Sequence, residues 1–81
     1  VKEQIRQLIL KCLLAADGIM TEPNLRTAIR RGLSATVTEA DLTIHIQWCE
    51  REQLIIGTAD GLVGTTWALT TQGRLKAAQL Q

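Results

Sequence analysis

The residues with reactive side chains are few, and their spacing assembles no catalytic centre. His45 is the only histidine. A metal or acid–base role needs Cys, Asp or Glu partners at ligand spacing, and none stands so around it. Asp41 lies four residues before His45, which makes a local contact on one helix face rather than an acid–base couple. His45 is therefore expected to be a partly exposed helix residue. Cys12 and Cys49 are far apart and match no metal or redox spacing. They read as two reduced, buried thiols packing as small hydrophobes, which fits an intracellular, cytoplasmic compartment. Gly57, Gly61 and Gly64 fall on a hairpin, away from the strand-to-helix turn that a phosphate loop requires. No Ser–His–Asp or Cys–His set can be built. The expectation is a non-catalytic chain with no metal site and no cofactor.

The elements that carry these residues are short and well punctuated. Eighty-one residues make one domain at most, 1–81, with a modest core. A composition of 46% hydrophobic and 21% charged residues excludes a disordered chain. The longest apolar run begins at Leu8 and is broken by Lys11, so it falls short of the ~20 residues a membrane span needs. Glu3, Arg6 and Lys11 make an amphipathic helix a better reading of this region than a signal segment. Val1 in place of an initiating Met fits a trimmed chain or a piece of a longer protein.

A first helix is expected over 2–16, with Ile5, Leu8, Ile9, Cys12, Leu13 and Ala16 at helical spacing. Asp17-Gly18 ends it, and Gly18 is free to adopt a left-handed cap. Leu10 and Leu14 sit off the main stripe and suggest a second contact surface. Ile19-Met20 reads as a small strand. Thr21 starts a second helix over 22–31, with Pro23 in its first turn and Leu25, Ala28 and Ile29 facing inward. Residues 32–37 form a turn. Thr38 and Asp41 have capping-box spacing, and Val37 and Leu42 are placed as a hydrophobic staple. They begin a third helix over 38–52, with Leu42, Ile46 and Cys49 inward. A hairpin follows over 54–69. Centring its turn on Asp60-Gly61 places Leu54 opposite Trp67 and Ile56 opposite Thr65, so that Leu54, Ile56, Trp67 and Leu69 share a face. Thr70 caps a final helix over 71–80 carrying Leu75, Ala78 and Leu80.

The stretch from Cys49 to Ile55 reads as an apolar position, three polar residues, a turn position and then Leu-Ile. The stretch Trp67-Ala68-Leu69-Thr70-Thr71-Gln72-Gly73 reads as aromatic-x-Leu-Thr-x-x-Gly. With the element order, these junctions make the chain resemble the winged helix-turn-helix superfamily over nearly its whole length, although Gln53 stands where many members have Gly. The resemblance implies an α+β, mostly α fold: a three-helix core, a two- to three-stranded wing and a short C-terminal helix. It also implies a DNA-associated regulator whose third helix meets base edges while the wing touches the backbone.

On that reading the outward positions of the third helix are Ala40, Asp41, Thr43, Ile44, Gln47, Trp48 and Arg51. Thr43, Gln47 and Arg51 are the candidates for direct readout of double-stranded DNA. The charge distribution opposes this role. Residues 1–31 carry six basic and three acidic groups, whereas residues 32–73 carry Arg51 alone against Glu39, Asp41, Glu50, Glu52 and Asp60. The hairpin holds no Lys or Arg, and DNA affinity rests largely on neutralised phosphates. Arg26, Arg30 and Arg31 on the second helix, joined by Lys2, Arg6 and Lys11 on the first, would then supply the phosphate contacts. The alternative reading is a protein-interaction or dimerisation module. Ile44 and Trp48, one turn apart and outward, would make the interface with a homodimer or a partner protein, and Leu10 and Leu14 would make a second patch.

Overall fold

The computed structural model describes residues 2–33, 37–62 and 64–80. The order of elements is α1 (Lys2–Ala15), β1 (Ile19–Thr21), α2 (Glu22–Gly32), α3 (Glu39–Arg51), β2 (Ile55–Asp60), β3 (Gly64–Leu69) and α4 (Thr71–Gln79). The α+β expectation holds: the described residues are mostly helical, with one three-stranded antiparallel sheet in the order β1-β3-β2.

Local chemistry accounts for the helix ends. α1 stops where Asp17 and Gly18 both take left-handed backbone, with φ of 61° and 89°. The Gly18 N–H then donates to the Leu13 carbonyl at 2.7 Å, satisfying an acceptor the helix leaves open. The Thr38 hydroxyl accepts from the Asp41 N–H at 3.1 Å, and the Thr70 hydroxyl accepts from the Gly73 N–H at 3.0 Å. Thr21 stands at the N-cap of α2 without a side-chain bond. Of the expected turn over 32–37, positions 34–36 lie outside the described residues, as does position 63 of the hairpin.

The core is one cluster. Ile5, Ile9, Leu10 and Leu13 of α1 meet Leu25 and Ile29 of α2, Leu42, Ile46 and Cys49 of α3, Ile55, Trp67 and Leu69 of the sheet, and Ala77 of α4. Leu10 is thus corrected from an outward position to a core residue, and Leu14 packs partly buried against the cluster. The reason is α4, which packs along α1 and widens its buried face.

Two further expectations are corrected. The hairpin register pairs Ile55 with Leu69, Gly57 with Trp67 and Asp60 with Gly64. Asp60-Gly61 is therefore not a two-residue turn: three residues, 61–63, connect the strands. The Asp60 carboxylate accepts from the Leu62 N–H at 2.7 Å, and Gly64 takes φ of 79°. This loop puts Ile55 inward and Ile56 outward, the reverse of the expected face. On α4 the buried residues are Gly73 and Ala77, whereas Leu75 and Ala78 are exposed and Leu80 is half-buried. The helix turns its smallest residues inward because it approaches backbone. A methyl at Gly73 would overlap the Leu54 carbonyl oxygen, which also accepts from the Thr70 N–H at 3.1 Å.

Candidate functional site

The second and third helices meet through a cluster of charges. Glu39, in the first turn of α3, accepts from Arg26 at 2.8 Å and lies 2.6 Å from Arg30. The other arm of the Arg26 guanidinium donates to the Thr43 hydroxyl at 2.8 Å and lies 3.7 Å from Glu22. Thr43 in turn donates to the Glu39 carbonyl at 3.0 Å. Three of the six candidate DNA contacts, Arg26, Arg30 and Thr43, are therefore engaged within the chain. Arg26 is largely covered, with 19% of its side chain accessible, whereas Arg30 keeps 46%. Arg31, Gln47 and Arg51 are exposed. Gln47 and Arg51 are one turn apart on α3, flanked by the exposed carboxylates Glu50 and Glu52.

The candidate protein interface divides differently. Ile44 is 58% exposed, as an outward position should be. Trp48 is corrected: it is half-buried against the core, and the Arg6 guanidinium lies 3.8 Å from its ring centroid. α3 is rotated enough to tuck the indole under α1, and the cation–π contact satisfies the ring face from that side. His45 is also corrected, from partly exposed to buried, on the same inward side as Leu42 and Ile46.

Neither cysteine forms a disulfide. Burial raises the thiol pKa of both Cys12 and Cys49. At Cys49 burial outweighs the opposing pull of the Arg6 charge and takes the value to about 11. Such thiols are poor nucleophiles near neutral pH. Among the described residues no three His, Cys, Asp or Glu side chains are grouped to hold a metal ion, and no helix is long and apolar enough to cross a membrane.

A surface that sequence reasoning missed lies on the outward side of the sheet. The register places Ile19, Ala68 and Ile56 in one row across β1, β3 and β2. Thr21, Thr66 and Thr58 form the next row on the same side. Ile19 is 56% exposed and Ile56 is 57% exposed. These six positions hold no charge. The three-residue loop gives Trp67 the partner Gly57 in place of the Leu54 expected from Asp60-Gly61, and that odd-numbered shift brings Ile56 to this side.

Comparison with known families, characterised proteins and solved structures gives no match for this chain.

Proposed function

We propose that the chain is a non-catalytic winged-helix module that works through protein contact, and that it self-associates through the outward face of its sheet. The element order, with β1 before α2 and the β2–β3 hairpin after α3, supports the winged-helix reading. The observation that carries the function is the uncharged double row on the sheet. Ile19, Ala68 and Ile56 lie side by side, with three threonines beyond them. An isologous contact brings like faces together, and these two rows carry no charge to bury, Asp60 standing in the row beyond them. Two rows across three strands cover roughly 200 Å² per copy, against about 800 Å² in a standard interface. The expected self-association is therefore weak and concentration-dependent.

Sedimentation equilibrium up to millimolar concentration tests this. Wild type should show a reversible monomer–dimer equilibrium, and Ile56→Asp should remain monomeric. Ile56 is exposed, so this variant keeps its fold, which circular dichroism checks. A monomeric wild type over the whole range, or an Ile56→Asp variant that associates equally, overturns the proposal.

A second reading is binding of duplex DNA through Arg31, Gln47 and Arg51, favoured by the exposure of all three. Its test is titration of a random duplex at low salt, then at moderate salt. Binding that weakens steeply with salt and that Arg31→Ala flattens supports it. The absence of binding at low salt removes it.

A further inference from the structure

A groove of about 350 Å³ opens where α1, the end of α3 and α4 converge. That volume is at the lower end of the ~300–1,000 Å³ range of small-molecule pockets. Its apolar lining is Leu10, Trp48, Leu54 and Leu80. Arg6 of α1 and Lys76 of α4 bring two cations to it, against one carboxylate, Glu3. Gln7 adds a neutral amide. None of the outward sheet residues takes part.

The cations of this groove are not matched by carboxylates. Among the described residues the ion pairs involve Arg26, Arg30, Glu22 and Glu39, and neither Arg6 nor Lys76 pairs with a carboxylate. The Arg6 Nε is buried with no hydrogen-bond partner. A buried N–H without a partner costs free energy, and it leaves the guanidinium charge uncompensated on the protein side of the groove. The stack on Trp48 holds the guanidinium plane in place, and a held, planar fork suits bidentate recognition of a carboxylate.

We propose that this groove binds a small amphipathic organic acid. Its carboxylate would lie against Arg6 and Lys76, and its hydrocarbon body against Leu10, Trp48, Leu54 and Leu80. The charge is complementary: two cations and one peripheral carboxylate leave a net positive lip, and the floor behind it is apolar. A cationic amphiphile would meet Arg6 and Lys76 with like charge. A neutral alcohol of the same length would fill the floor and leave the Arg6 N–H groups without an anion.

The experiment is a titration of the full chain with decanoate, kept below its micelle concentration and followed by backbone and indole N–H NMR signals. Saturable one-to-one binding is expected, with the largest shifts at the Trp48 indole N–H and at the amides of Arg6, Leu10 and Lys76. Decanol should bind about tenfold more weakly, as loss of one charge-assisted contact implies. Decyltrimethylammonium should not bind. Lys76 is exposed, so Lys76→Gln keeps the fold and should weaken decanoate severalfold while leaving decanol unchanged. Arg6→Gln should weaken decanoate further. The proposal is overturned by the absence of saturable decanoate binding, by decanol binding equally well, by unchanged affinity in Lys76→Gln and Arg6→Gln, or by shifts centred on the sheet.

Discussion

Replacing Gly73 by Ala isolates one packing requirement of the fold. The position is buried inside α4, where Ala is normally favoured over Gly by about 1 kcal/mol. In this structure the added methyl would overlap the carbonyl oxygen of Leu54, with the Leu54 carbonyl carbon 2.9 Å away and Leu69 Cδ2 at 3.1 Å. Leu54 is backbone held from two sides: its N–H donates to the Cys49 carbonyl at 3.0 Å, and its oxygen accepts from Thr70. Relief therefore requires α4 to move away from the α3–β2 junction. Overpacking of this kind costs about 1–3 kcal/mol or more, and here the upper figure applies because backbone rather than a side chain must give. After the propensity gain, a net loss of roughly 2–3 kcal/mol remains, and for a domain of this size it lowers Tm by roughly 10–20 °C. Thermal unfolding followed by far-ultraviolet circular dichroism measures it. A Gly73→Ala variant as stable as wild type, or more so, would show that propensity dominates and that α4 does not approach Leu54 as described.

Gly57→Ala tests the hairpin register. The new methyl would lie 2.7 Å from Trp67 Cζ3, and the Trp67 indole is anchored at 3.2 Å to Glu22, so a loss of about 1–2 kcal/mol is expected in denaturant unfolding. With a two-residue turn, Gly57 would face outward and Ala would be neutral or stabilising. Glu39→Gln should change stability by less than about 1 kcal/mol, because ion pairs this exposed contribute little. It also releases Arg30 and loosens one arm of Arg26, whose other arm stays on Thr43 and near Glu22, so low-salt affinity for a random duplex should rise, with a steeper salt dependence, as gel-shift titration would show. Unchanged affinity would mean that the Glu39 contacts do not withhold the arginines. Cys49 predicts an alkaline loss of stability. Its pKa is raised from 9.0 to about 11 on folding, so the unfolded chain releases the proton first and stability falls as pH rises through that window. The difference corresponds to roughly 2–3 kcal/mol by pH 11. Urea midpoints should decline over this range in wild type and decline less in Cys49→Ala.

The helices were legible because their signals are local. Thr38 and Thr70 cap where their spacing says, and Leu25, Ile29, Leu42, Ile46 and Cys49 are buried as their periodicity requires. The junction motifs also acquire a physical meaning. Gln53 adopts φ of 62°, a left-handed conformation that favours Gly, and Gly73 is the helix residue that meets Leu54. The features that escaped are non-local. Arg26 and Glu39 are thirteen residues apart, so no sequence window pairs them. Trp48 looked outward on an isolated helix, but Arg6 from α1 covers it. The register depended on whether two or three residues closed the hairpin, and the choice lay in the Asp60 carboxylate and the positive φ of Gly64. That single choice moved Ile56 to the outer face, beside Ala68 and Ile19.

The central claim, protein contact through the outward sheet face, is tested most directly by a dilution series of the isotope-labelled chain followed by amide NMR. The account predicts concentration-dependent shifts confined to the outward rows of the sheet, at Ile19, Thr21, Ile56, Thr58, Thr66 and Ala68, that vanish in Ile56→Asp. Spectra independent of concentration, together with shifts at Arg31, Gln47 and Arg51 when a duplex is added, would contradict it.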